Sequence, residues 1–100
     1  MTKKIHINDL PDFDFSEHLT SEVDVAEYLS EIMKENDASL LAAALGDVAR
    51  ARGMAEIAKA SGITREALYK ALRADSQPRF ETISRVCTAL GLKLSVAVAH

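Results

Sequence analysis

Thr64, Arg65, Glu66, Tyr69, Lys70 and Arg73 fall within a short stretch and supply hydroxyl, guanidinium, carboxylate, phenol and ammonium groups. This is the chemistry of polar recognition. An arginine fork matches a guanine edge, a carboxylate can accept from a cytosine amine, and hydroxyl, phenol and ammonium groups suit phosphate oxygens. On the outward side of a helix, the first residues of such a set reach base edges and the later ones grip the backbone. Arg65 and Glu66 are therefore assigned to bases, Thr64 to capping with a phosphate contact, and Tyr69, Lys70 and Arg73 to backbone oxygens. The plainer alternative makes Arg65 and Glu66 ordinary first-turn surface charges.

The element that would carry them is Met54–Arg73, MAEIAKASGITREALYKALR, which reads as two short helices joined by a tight turn. Ile57 and Ala58 face inward from the first helix, and Ala58 must be small for the second to cross above it. Gly62 supplies the positive φ that ends one helix and redirects the chain. Thr64 offers an N-cap oxygen, and Ile63, Leu68 and Leu72 carry the apolar side onward. This is the pattern of a helix-turn-helix, whose second helix enters the major groove.

Enzyme chemistry finds no such constellation. His6, His18 and His100 are scattered, without a cysteine or carboxylate at metal-ligand spacing. Cys87 falls on the apolar line of its helix, as a small core residue does. No glycine loop is built to cradle phosphate. No catalytic activity and no cofactor are expected.

The net charge of −3 at first argues against a nucleic-acid partner, but the charge is divided. Residues 1–37 hold three Lys and ten Asp or Glu, a balance of −7, whereas residues 38–100 hold nine Lys or Arg and five Asp or Glu, a balance of +4. Two surfaces with different partners follow, one acidic and one mildly basic. The alternative is that the acidic run is only a solvated face. No apolar run approaches the roughly 20 residues of a membrane span, and no apolar stretch follows Lys3 and Lys4 to make a signal peptide. A lone cysteine and one modest core suit a single cytoplasmic domain.

The chain divides into an extended arm (1–20), a helical body (21–91) and a C-terminal strand (92–100). Ile5 and Ile7 alternate in the arm, and Phe13 and Phe15 either pin it across the body or await a partner. Ser21 starts a helix with Val25, Leu29, Ile32 and Met33 at helical spacing and Glu22, Glu27, Glu31 and Glu35 on its acidic side. Asp37 caps a second helix, Ala38–Arg52, with Leu41, Leu45 and Val48 in line, Leu40 and Ala44 alongside, and Gly53 as its stop. Gly46 within it costs about 1 kcal/mol relative to alanine, a cost that the close approach of another helix would justify. After the paired helices, a last helix from about Phe80 to Leu90 buries Phe80, Ile83, Val86, Cys87 and Leu90. The period then changes to two at Leu92, Leu94, Val96 and Val98, the pattern of a strand with one buried face. A lone strand cannot satisfy its backbone. It must pair with Lys3–Ile7, with a symmetry mate or with another protein, and a two-fold DNA reader favours the mate.

Ala44–Leu72, ALGDVARARGMAEIAKASGITREALYKAL, and Pro78–Val96, PRFETISRVCTALGLKLSV, resemble the HigA-type addiction-module antidote proteins with a λ-repressor-like helix-turn-helix. Phe15–Leu29, FSEHLTSEVDVAEYL, matches the upstream segment of that family, so the likeness spans nearly the whole chain. The residue patterns and this resemblance together lead to the expectation of a mainly α fold, a λ-repressor-like helix-turn-helix domain of about five helices with a C-terminal strand that pairs in a homodimer. The resemblance also implies an antitoxin that neutralises a small basic RelE/ParE-type toxin and represses its operon by binding operator DNA. Arg79 stands where the family more often has a small hydroxyl residue to cap the last helix, and a phosphate contact is its alternative use. The toxin-facing candidates are Phe13, Phe15, Tyr28, Glu27 and Glu31, since an acidic surface attracts a protein that handles RNA phosphate. The competing class is a stand-alone dimeric repressor with no toxin partner.

Overall fold

A computed structural model describes residues 21–99. The chain is mainly helical, with α1 at Glu22–Met33, α2 at Ala38–Arg52, α3 at Met54–Ser61, α4 at Arg65–Ala71 and α5 at Phe80–Ala89. The caps explain these bounds. The Ser21 hydroxyl accepts from the Asp24 amide at 3.0 Å to start α1. Asn36, at φ +54°, breaks the chain after it. Asp37 Oδ1 accepts from the amides of Ser39 and Leu40 at 3.0 and 3.1 Å to start α2. Asp37→Ala should therefore cost about 1 kcal/mol, read as a lower denaturation midpoint at unchanged slope. An unchanged midpoint would show that the cap adds nothing.

α3 sits at the centre, packed against α2, α4 and α5, while α1 lies on α2. Val25 and Leu29 from α1, Leu45 and Val48 from α2, Ile57 from α3, Leu68 and Leu72 from the α4 region, and Val86 and Leu90 from the α5 region form one core. Ala42, Ala44 and Ala49 are buried too, so the small side chains of α2 let its neighbours approach closely. Cys87 is a core residue, and burial pushes its thiol above the ordinary range, away from nucleophilic use.

The apolar spacing misassigns three residues. Phe80 is 72 % exposed, Met33 is 45 % exposed and Leu40 is 39 % exposed. Phe80 is the first residue of α5 and lies at the edge of its apolar arc, and its Cβ points back beyond the helix start. Met33 ends α1 and Leu40 lies in the first turn of α2, so each sits where its helix leaves the core. In the last stretch, Leu92 and Leu94 are half-buried against the core, but Val96 and Val98 stand in solvent. Residues 92–99 form no strand among the described residues. Leu92 is anchored by its amide donating to the Cys87 carbonyl at 2.8 Å.

Candidate nucleic-acid interface

The turn between α3 and α4 is built by a few backbone groups. Gly62 takes φ +75° at the end of α3. The Gly62 and Ile63 amides both donate to the Ala58 carbonyl, at 3.0 and 3.2 Å, which closes the helix and turns the chain. The buried Ser61 hydroxyl donates to the same carbonyl at 3.2 Å. Thr64 then starts α4, its hydroxyl accepting from the Ala67 amide at 3.1 Å. α4 is only seven residues long, and Leu68 with the following Leu72 holds it to the core.

With those two leucines inward, Thr64, Arg65, Glu66, Tyr69, Lys70 and Arg73 are all exposed, Thr64 just before α4 and Arg73 just after it. The Arg65 guanidinium lies 5.8 Å from the centre of the Tyr69 ring, which restricts the arginine without burying it. Arg73 pairs with Asp75 at 3.3 Å, both well exposed, a contact worth little in water and easily exchanged for a phosphate. Arg79 precedes α5 and makes no side-chain cap. Two cations near the turn were not marked by the sequence pattern. Lys59 is exposed in the last turn of α3. The Arg85 guanidinium lies 3.8 Å from where a Gly62 Cβ would stand, and it pairs with Glu81 at 3.1 Å. The i,i+4 spacing of Glu81 and Arg85 was the available signal for that pair, but nothing local to α5 places it beside the turn.

The acidic side lies elsewhere. Glu27 and Glu31 are exposed on α1, with Glu31 held to Lys34 at 2.8 Å. Tyr28 is half-buried. Burial pushes its phenol above the ordinary range, and the Asp47 carboxylate adds to that, so it stays protonated. Phe13 and Phe15 lie outside the described residues. No group of three His, Cys, Asp or Glu side chains converges as a metal site among the described residues, and no helix there is long and apolar enough to cross a membrane.

A family model described as "Probable addiction module antidote protein" matches residues 9–98. A Haemophilus influenzae protein described as uncharacterized is 51 % identical over 87 residues, covering 87 % of this chain and 90 % of its own length. No solved structure matches the chain.

Proposed function

The chain belongs to the family of probable addiction module antidote proteins, and from that premise we propose that it is the antitoxin of a type II toxin–antitoxin module. In this reading it binds a small basic RelE/ParE-type toxin directly and represses its own operon through a helix-turn-helix formed by α3 and α4. An antidote role implies a toxin of some kind. The observation that carries the DNA half is the outer side of α4, where Arg65, Glu66, Tyr69 and Lys70 are exposed together on a short helix pinned by two leucines. Arg65 and Glu66 read bases. Thr64, Tyr69, Lys70, Arg73 and Arg79 hold the backbone.

Repression of a two-fold operator calls for two copies of the reader. The exposed Val96 and Val98 support pairing of the C-terminal stretch between copies in a homodimer. On the toxin side, Glu27, Glu31 and Tyr28 of α1 are assigned to an acidic contact surface and Phe13 and Phe15 to the same partner, at a distance in sequence from the DNA set.

Two substitutions separate base reading from backbone contact. Arg65→Ala should cost about 1–3 kcal/mol of operator affinity and relax base preference at one position of each half-site. Lys70→Ala should weaken all sequences alike and lower the slope of log affinity against log salt by about 1. Both are read by fluorescence anisotropy on the promoter upstream of the gene, at several salt concentrations. Unchanged affinity and preference in Arg65→Ala would overturn the base assignment. Co-expression with the product of the adjacent reading frame tests the other half, by growth rescue and co-purification. If both fail, the stand-alone repressor is the better reading.

A further inference from the structure

α1 carries an apolar row that faces the core and beside it a second row of mostly small or apolar residues. Val25, Leu29 and Ile32 serve the interior. Val23, Ala26, Ser30 and Met33 recur at i, i+3, i+7 and i+10, a second row along the helix. Val23 is 67 % exposed at one end of it and Met33 is 45 % exposed at the other.

This row is one wall of a groove of about 270 Å³. Leu92, Lys93 and Leu94 form the facing wall, and Leu41, Ile83 and Cys87 lie at its base. Two further hollows share residues with it, one across Ala26, Glu27, Ser30 and Glu31 and one across Met33, Asn36, Asp37, Ala38 and Leu41. At ~1.5 Å per residue the α1 wall runs about 15 Å, the length of roughly four or five extended residues.

Charge selects the occupant. Glu22 and Lys93 line the groove itself, Glu27 and Glu31 line one adjoining hollow and Asp37 the other, so carboxylates outnumber the one lysine of the lining. A second copy laid groove to groove would set this acidic rim against its own image, a contact separate from the pairing proposed at Val96 and Val98. The chain's own residues 1–20 carry four carboxylates against two lysines, so they too meet the rim with like charge. A basic partner meets it with opposite charge, which steers its approach and fixes its register.

We propose that this groove seats an apolar anchor from a lysine- or arginine-rich segment of the toxin. Val23 and Met33 flank the anchor, and Glu22 and Glu27 face its cations. The proposal rests on the antidote reading and assigns it a place: the toxin is held by an apolar slot as well as by the acidic face of α1.

The test uses the full chain and the purified product of the adjacent reading frame, with binding measured by titration calorimetry. Val23→Arg combined with Met33→Arg should weaken binding by about tenfold or more. Both positions are exposed, so the thermal midpoint and operator affinity should match those of the unmodified chain. Glu22→Gln with Glu27→Gln should weaken binding and reduce its salt dependence, and an unchanged salt dependence would overturn the choice of a basic occupant. If the double arginine variant binds the neighbour's product as tightly as the unmodified chain, the groove proposal is overturned while the antidote reading stands. If the unmodified chain does not bind that product, both fall. If the double variant changes only the oligomeric state, the occupant is a second copy and the proposal is likewise overturned.

Discussion

Leu68→Ala should cost about 2–5 kcal/mol of stability, a large share of the roughly 5–15 kcal/mol available to a small domain. Leu68 has no exposed surface and is the one buried residue within α4. A seven-residue helix is far below the ~12–15 residues at which isolated helices become even marginal in water. Its persistence therefore depends on tertiary anchoring, which Leu68 and Leu72 supply. Removing the first leaves a cavity between α4 and the core and frees the helix that holds Arg65, Tyr69 and Lys70. Two consequences separate this from a generic core lesion. Amide exchange in 65–71 should accelerate more than in α2, and operator affinity should fall at temperatures where the rest of the chain is still folded. Denaturant titration and hydrogen exchange measure these. A cost below about 1 kcal/mol would mean that α4 is held by something other than its leucines.

The helical pair shows why some of the architecture could be read from the chain. Ser21, Asp37, Gly53, Gly62 and Thr64 are local signals, each acting through groups within a few residues, and each stands where its helix starts or stops. Burial at Val25, Leu45, Leu68 and Val86 follows from a repeat longer than one turn, so averaging over the helix locates it. Phe80 and Met33 defeat the same reasoning because they lie at helix ends, where the periodic face continues past the core. The groove beside α1 was hidden for a different reason. Its walls come from residues about 60 positions apart, Val23–Met33 and Leu92–Leu94, and no local pattern reports that they meet. The sequence-based toxin candidates centre on aromatic and acidic residues, and they miss Val23 because a single exposed valine carries no signal until its neighbours in space are known.

The split in charge acquires a structural basis from this arrangement. The acidic side belongs to α1 and its approaches, while the exposed α4 set and Arg79 belong to the later helices. A toxin on the α1 groove and DNA on α4 would engage separate elements, so both can be bound by one chain in the proposed reading. α2 packs against both α1 and the central α3, and α5, whose Ile83 and Cys87 line the groove, packs against α3 as well. Coupling between the partners would pass through these helices, and in α2 the close backbone approach is at Gly46.

Gly46→Val should destabilise the chain by about 3 kcal/mol, although glycine is normally the poorer residue inside a helix. Gly46 is buried in α2, and a Cβ there would stand 2.5 Å from the Leu72 carbonyl oxygen, with the Leu72 Cβ at 3.4 Å. That oxygen is backbone at the end of α4 and cannot rotate away as a side chain would. Alanine at this position gains about 1 kcal/mol of helix propensity but meets the same oxygen, so Gly46→Ala should also be a net loss, of about 1–2 kcal/mol. The larger valine adds two methyl groups to a contact that is already closed. Relief requires α4 to move outward from α2, which shifts the whole exposed set relative to α3. Operator affinity should therefore drop in Gly46→Ala although no charge is changed. Thermal denaturation and operator titration of both glycine variants are the measurements. Stabilisation by alanine would show that α4 yields freely at its C-terminal end. The close approach of Leu72 would then be a contact the fold can dispense with, and the cost of glycine in α2 would have no structural return.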